Sequence, residues 1–479
     1  MKSSIKYETI VGLEVHVQLS TKSKAYCSDL NKFGEAPNTC VSPISAGYPG
    51  TLPKANKEVV NSAVKLGLAL NCNITKYNIY ARKNYFYPDL PKGYQITQDT
   101  TPICTEGYIE IEEDKKINLT RIHMEEDAGK SIHDLDPFYS LVDLNRAGVP
   151  LLEIVSEPEI RSSEEAYTYL SEVRKIVRYL GISNGNMEEG SLRCDANISV
   201  RPVGSQELRN RVEVKNINSL KNVMKAIDLE VNRQIECYNN NIEVNQETRN
   251  YNASSNTTTI LRSKEDAHDY RYFPEPDLPP IVLSEQFIDN IKNSIPTLPK
   301  ERYIKYTTEY KLSDYDANIL TEDKDLSDLF NDVVKHTTHY KTVTNLIMGP
   351  LKSHLNQYSI AIHDLEINKK HMAELANMIQ KNQVSHIIVS QKLFSEMIQT
   401  GNSPNQIANQ NGWIQQEDNK TIESLVDKVI NKYPEKVDAY QNGNTNLLGL
   451  FMGEIMRETK GQFNPKAINE ILKSKLTKA

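Results

Sequence analysis

Residues 11–19, V-G-L-E-V-H-V-Q-L, alternate without interruption: Val11, Leu13, Val15, Val17 and Leu19 fall on one side, and Gly12, Glu14, His16 and Gln18 on the other. Successive strand side chains point to opposite faces, so this stretch reads as a strand with one apolar and one ionisable face. Two further stretches repeat the design. Arg121–Lys130, R-I-H-M-E-E-D-A-G-K, sets Ile122 and Met124 against Arg121, His123 and Glu125 before an Ala-Gly loop, and Arg211–Lys215 sets Val212 and Val214 against Arg211, Glu213 and Lys215. Leu151–Val155 differs, because Glu153 interrupts a run that is apolar on both faces. A carboxylate there needs a cation or a metal to offset a desolvation cost of roughly several kcal/mol.

The remaining segments place helices and loops around these strands. Ser20–Gly50, rich in Ser, Asn, Pro and Gly, reads as a long loop. Asn56 caps a helix running to about Leu70, with Val59, Val60, Ala63 and Val64 on its stripe. The best helical signal is 161–181: Ser162 and Glu165 form a capping box, Ala166, Leu170, Val173, Val177 and Leu180 make the stripe, and Gly181 stops it. Gly185–Asn197 is a second acid-rich segment leading into a short strand, Ile198–Val200. Asn218 or Ser219 opens another helix, and the Asn-rich Cys237–Thr259 reads as a surface excursion. From Pro296 onward the spacing is helical. The chain is therefore expected to be α+β, with a catalytic domain of mostly antiparallel strands over 1–293, a helical domain over 294–405 and a small helical tail over 406–479.

A chain of 479 residues exceeds one ordinary core, so two to four domains of about 100 to 250 residues are expected. Charged residues at 25% and a mean hydropathy of −0.54 indicate a soluble globular protein. No apolar run approaches the ~20 residues that span a bilayer, and the first strand starts by Ile10, so a cytoplasmic protein without membrane association is expected. Six irregularly spaced cysteines, with no C-x-x-C pair, favour free thiols. A net charge of −7 argues against wrapping nucleic acid in a global basic field but leaves room for a local basic surface. Gly453–Ala479, with six Lys/Arg against three Glu, is such a surface or simply a solvated helix face.

Glu14 and His16 share a face, as do His123 and Glu125. Oxygen-rich groups with one or two imidazoles suit Mg²⁺ or Mn²⁺ better than zinc; the alternative is a set of salt bridges on a half-exposed sheet. Ala81–Gln95, A-R-K-N-Y-F-Y-P-D-L-P-K-G-Y-Q, interleaves aromatics such as Tyr85 with Arg82, Lys83 and Lys92. It could stack on a nucleotide or be ordinary packing around a proline turn. There is no Walker A loop, GxGxxG fingerprint or HExxH.

Together these segments resemble the GatB family, the B subunits of tRNA-dependent amidotransferases. The resemblance rests on 11–19, R-K-N-Y-F-Y-P-D-L-P-K-G-Y-Q-I at 82–96, 121–130, L-V-D-L-N-R-A-G-V-P-L-L-E-I-V-S-E-P at 141–158, M-E-E-G-S-L-R-C-D-A-N at 187–197 and D-Y-R-Y-F-P-E-P-D at 269–277. It extends to L-S-D-Y-D-A at 312–317 and L-G-L-F-M-G-E-I-M-R-E-T-K-G at 448–461.

The resemblance implies a cradle-like catalytic domain and ATP-dependent amidation of Glu-tRNA(Gln), Asp-tRNA(Asn) or both. The side-chain carboxylate would be phosphorylated and ammonia would displace the phosphate. It implies Mg²⁺ held by Glu14, His16, Glu125, Glu126 and Glu153, with Glu213 completing the site, Lys83 facing the phosphates and Tyr85 beside the nucleotide. Glu125, Glu153, Glu213 and Lys83 would be the catalytic set, and Lys460 and Lys466 would contact tRNA. Glu126 shares strand parity with Ile122 and Met124, so the strand end must turn it to reach the others. With no Gly-Ser-Ser-Gly amidase signature in the chain, ammonia is expected from a separate glutaminase, the A-type component of a heterotrimer braced by a small C-type component. Where relatives carry a zinc-binding cysteine cluster, this chain has Asp29, Ser42 and Ser45 beside Cys27 and an offset Cys40, which argues against zinc. Asn442, Asn444 and Asn446 replace lysines common before the L-G-x-x-x-G motif, which weakens phosphate contact there. Two other readings stand beside this one: a non-catalytic RNA-binding or assembly component of the same complex, and an unrelated metal-dependent hydrolase.

Overall fold

Five long strands carry the alternating patterns into one sheet. They are β1 (Tyr7–Gln18), β2 (Lys115–Glu126), β3 (Pro150–Ser156), β4 (Leu192–Pro202) and β5 (Val212–Ile217). The structure, a computed structural model, describes residues 5–112, 114–263, 269–415, 419–458, 463 and 465–477. β6 (Glu247–Asn252) and β7 (Thr257–Ser263) extend the sheet, whose order is β7-β6-β5-β4-β1-β3-β2, continuing through the two-residue strands Cys104–Thr105 and Asn73–Ile74. Every pairing among β1–β5 is antiparallel, and β5 with β6 is parallel. The fold class is α+β.

The apolar face of β1 explains why the sheet forms where it does. Val11, Leu13, Val15 and Val17 are at most 1% exposed, and burying each such side chain stabilises the fold by about 1.5–3 kcal/mol. They share one core with helices α1 (Lys57–Ala69), α2 (Ser163–Tyr179) and α3 (Leu220–Asn239), through Val60, Leu170, Val173, Val223 and Ile227 among others. Asn56, Ser162 and Ser219 cap the three helices by accepting backbone N–H groups. With one face sealed, a one-residue slip of β1 would bury Glu14 and His16, so the register is set by the core.

Two expectations change. The strand read at Ile198–Val200 is the middle of an 11-residue strand that pairs with β1 from Tyr7↔Pro202 to Val17↔Leu192. The Asn-rich segment 237–259 is not merely a surface excursion, since it contains β6 and the start of β7; β6 gains its backbone partners from β5, which overrides the low strand propensity of Asn.

The chain divides into two compact units, residues 1–299 and 300–479. The second is helical from Pro299–Thr308 to Pro465–Leu476 and holds two separate apolar clusters, one around Phe330, Leu351 and Phe394 and one around Val426, Phe451 and Leu472. Among the described residues, no helix is long and apolar enough to cross a membrane.

Candidate active site

The polar face of the sheet is where the register brings side chains from different strands together. His16 on β1 stands opposite Glu153 on β3, which stands opposite His123 on β2. On the other flank, Glu14 and His16 face Asp195 and Arg193 of β4. His16 Nε2 lies 3.3 Å from Glu153, 3.5 Å from Glu125 and 3.7 Å from Glu14, and His123 Nε2 lies 3.6 Å from Glu153 and 3.8 Å from Glu125. Glu125 and Glu153 are buried, at 3% and 6% exposure.

So many acids in so little water disturb one another. Burial and the neighbouring Glu153 push the carboxyls of Glu14 and Glu125 up to about 7. Burial works against the charge on Glu153 too, but His123, His16 and Lys83 crowd it and hold it well below the usual carboxylate range. Burial pushes His123 down to about 4, against the pull of Glu153. Burial also opposes a charged His16, yet Glu153, Glu125 and Glu14 outweigh it and raise the imidazole to about 9. At neutral pH the proton answering Glu153 therefore sits on His16.

This donor set fits a hard divalent cation. Ligand atoms of His16, Glu125 and Glu153 lie within 4.8 Å of one another, and those of Glu14, His16 and Asp195 do the same. His123 Nδ1 is buried without a hydrogen-bond partner beside them. Two carboxylates and one imidazole in each group match the oxygen-rich chemistry of Mg²⁺ or Mn²⁺.

Glu14, His16, Glu125 and Asp195 line a cavity of about 1090 Å³ together with Lys83, Tyr85, Asp127, Arg193 and Lys215. Lys83 sits on the strand Ala81–Asn84, its ammonium 4.9 Å from the Tyr270 ring centroid. Burial would lower its pKa, but Glu125 and Glu153 raise it above the ordinary lysine value. Tyr85 packs edge-on against Tyr87 and Tyr270.

Other expected site residues fall elsewhere. Glu126 lies on the opposite face from Glu125, as strand parity requires; it pairs with the Lys92 ammonium, accepts the Ile96 N–H at 2.9 Å and lines a separate cavity of about 100 Å³ with Tyr26, Cys27 and Tyr94. The strand end does not turn it into the acid cluster. Glu213 binds Lys215 at 3.0 Å and the Thr248 hydroxyl at 2.8 Å; Lys215 in turn bridges to Asp195, which links Glu213 to the cluster. Lys466 is exposed on the helix Pro465–Leu476, and Lys460 lies outside the described residues.

In the first loop, Asp29 accepts the Ser42 N–H at 2.8 Å and the Ser45 hydroxyl, and buried Lys24 approaches it at 3.9 Å. Burial pushes the Cys27 thiol beside it up to about 11. The loop is tied by hydrogen bonds at Asp29, Ser42 and Ser45.

Sequence reasoning missed Asp195, Asp127 and Arg193. For Arg193 and Asp195 the signal was the alternation Arg193-Asp195-Asn197 against Cys194, Ala196 and Ile198, hidden because only Ile198–Val200 read as a strand.

Comparison with known proteins decides the family. Residues 9–289 match the profile of the GatB/GatE catalytic domain, and residues 328–476 match that of the GatB domain. The chain belongs to the GatB family. It is 48% identical over 471 residues to the B subunit of the aspartyl/glutamyl-tRNA(Asn/Gln) amidotransferase of Thermodesulfovibrio yellowstonii, covering 98% of this chain and 99% of that one. The protein of the same name from Pelodictyon phaeoclathratiforme is 47% identical over 475 residues, with 98% and 100% covered, and that from Thermotoga petrophila is 45% identical over 480 residues, with 98% and 99% covered. The chain is thus the B-type subunit of an amidotransferase, an enzyme of the ligase type, and the acid cluster lies within the segment matched by the catalytic domain.

Proposed function

We propose that this chain carries the kinase and transamidase centre of a tRNA-dependent amidotransferase that converts Glu-tRNA(Gln), Asp-tRNA(Asn) or both to the amides, using ATP. The observation that carries the reading is the convergence of His16, Glu125 and Glu153 from three strands, with His16 and Glu125 lining a cavity that also holds Lys83.

A side-chain carboxylate is a poor acyl electrophile until one of its oxygens can leave. In the proposed reaction that oxygen attacks the γ-phosphorus of ATP, ADP departs, and an acyl phosphate forms. Ammonia then attacks the carbonyl carbon, and inorganic phosphate leaves with the oxygen it took up. In phosphoryl transfer the protein mainly positions groups and stabilises charge. His16, Glu125 and Glu153, with Glu14 and Asp195 adjoining, would hold Mg²⁺, which neutralises phosphate charge when bound. Lys83, kept charged by Glu125 and Glu153, would meet the phosphates, and Tyr85 would flank the nucleotide. Glu213 acts through Lys215. Lys466, with Lys460, would contact tRNA. Ammonia would come from a glutaminase, the A-type component of a cytoplasmic complex that also contains a small C-type component.

The test is ATP- and Mg²⁺-dependent conversion of Glu-tRNA(Gln) to Gln-tRNA(Gln) by the reconstituted complex, with free ammonium as the nitrogen source, for wild type and Glu125→Gln. Wild type is expected to convert and the variant to lose about a hundredfold or more. Equal conversion removes Glu125 from the centre. No conversion by either, with the complex assembled and binding tRNA, favours a non-catalytic assembly role.

A further inference from the structure

The acid cluster poses an electrostatic problem that the residues assigned so far do not solve alone. Both reactants in the proposed step bring anionic oxygens to a wall built from Glu14, Glu125 and Asp195, with Glu153 beside it. Of the cations near that wall, Lys215 is engaged by Asp195 and Glu213, and Arg146 donates to the backbone carbonyls of Ala128 at 2.9 Å and Gly129 at 2.6 Å. Arg193 is placed differently. It stands directly across from His16 in the β1–β4 pairing, which sets their Cβ atoms about 5 Å apart, and it lines the same cavity.

Its orientation is held from one side. Nη2 donates to Asp127 Oδ2 at 2.8 Å, and that carboxylate is itself fixed by Gln18 Nε2 at 2.8 Å and by Arg146 Nε at 3.6 Å. The Asp127 backbone is pinned as well, its N–H donating to the Val149 carbonyl and its own carbonyl accepting the Gly148 N–H. Yet Arg193 Nε is buried and has no hydrogen-bond partner. Buried donors are nearly always paired in folded proteins, and here Asp127 holds the guanidinium from one side only, while about 33% of the side chain stays exposed and lines the cavity, within reach of an acceptor brought by a ligand. The planar fork of guanidinium donors matches phosphate and carboxylate oxygens.

We propose that Arg193, oriented by Asp127, binds an oxyanion of the reacting pair beside the acid cluster. The oxyanion is either the phosphoryl group of ATP or the side-chain carboxylate of the aminoacyl group. The proposal rests on the reading of the cluster as the phosphorylating centre.

The test uses the assembled amidotransferase with ammonium as nitrogen donor and compares wild type, Arg193→Lys, Arg193→Gln and Arg193→Ala, with Glu125→Gln in parallel. Arg193→Gln should lose about a hundredfold or more in kcat/KM, and Arg193→Lys, which keeps the charge but not the fork, should lose less. Millimolar guanidinium should restore part of the Arg193→Ala activity, which a packing defect would not allow. A rise confined to the KM for ATP assigns the phosphoryl group, and one confined to the KM for aminoacyl-tRNA assigns the carboxylate. Full activity of both Arg193→Gln and Arg193→Lys overturns the proposal. If the Gln variant fails to assemble, the Lys variant decides: unchanged constants overturn the proposal and a partial loss supports it. Glu125→Gln inactive with Arg193→Gln fully active sinks the Arg193 assignment alone, whereas full activity in both sinks the reading of the whole site.

Discussion

The strand that carries Lys83 is anchored by ion pairs of Arg82, whose removal should be felt throughout the first unit. Arg82 Nε and Nη2 donate to the two oxygens of Glu275 at 2.7 and 2.9 Å, Nη2 also reaches Asp277 at 3.0 Å, and the guanidinium lies 4.1 Å from the Tyr94 ring centroid. The Glu275 side chain is fully buried. Arg82→Met keeps most of the stem but leaves a buried carboxylate with, among the described residues, only the Asp277 N–H, and breaking a buried pair from one side costs about 3–5 kcal/mol. Unfolding entropy scales with size, so for residues 1–299 it is about 0.6 kcal/mol/K and the expected fall in Tm is about 5–8 °C. Differential scanning calorimetry reads this directly. The companion variant Arg82→Met/Glu275→Leu removes the stranded charge and should recover more than half of the loss. A fall below about 2 °C in the single variant, or a double variant no better than the single, would refute the claim that the desolvated carboxylate sets the cost. The same pair anchors the segment whose Tyr270 carbonyl accepts the Asn84 N–H at 3.0 Å, so the destabilised variant should also lose activity through Lys83.

Two further predictions test packing and charge elsewhere. Gly67 lies in α1 where an added Cβ would stand 2.3 Å from Cys104 Sγ and 2.9 Å from Ile74 Cδ1; Gly67→Ala should destabilise by about 1–3 kcal/mol despite the better helix propensity of alanine, and adding Cys104→Ala should restore most of it in urea unfolding. In the second unit, burial opposes the charge on Asp316, but the Lys341 ammonium at 2.6 Å and Ser313 hold its carboxyl below the usual carboxylate range. A depressed folded value means that the stability from this contact is fully present above the unfolded carboxylate value and is lost as pH falls through the folded one. Lys341→Met should therefore cost about 0.5–1 kcal/mol at pH 7 and less at pH 2, read by the fluorescence of Trp413, the single tryptophan, which packs on the same apolar cluster. An equal cost at both pH values would count against the linkage.

How much of this was legible beforehand depended on whether one strand sufficed. Period-two alternation placed Glu14 and His16 together on a polar face and Glu125 with His123, because a buried apolar face leaves only one orientation for the rest. The same parity rule set Glu126 apart, and the structure keeps it on the other side with Lys92. What could not be read was the register between strands far apart in sequence. Asp195 and Arg193 come beside Glu14 and His16 only because β4 pairs along nearly all of β1, some 180 residues earlier. Glu213 sits one strand further out, and nothing within a single run of residues shows that Lys215 would stand between it and Asp195. The contribution of β6 was hidden for a related reason: its Asn-rich sequence has weak strand propensity, and its pairing is supplied by a neighbour.

The claim on which the rest depends is that His16, Glu125 and Glu153 form a divalent-cation site. Mn²⁺ titration of the protein followed by electron paramagnetic resonance, for wild type and Glu153→Gln, measures that claim without requiring turnover. The account predicts saturable binding by wild type, weakened at least about tenfold to a hundredfold in the variant, with both proteins shown to be folded by their melting transitions. Equal Mn²⁺ affinity in the two proteins would contradict it and leave the cluster as a set of buried ion pairs.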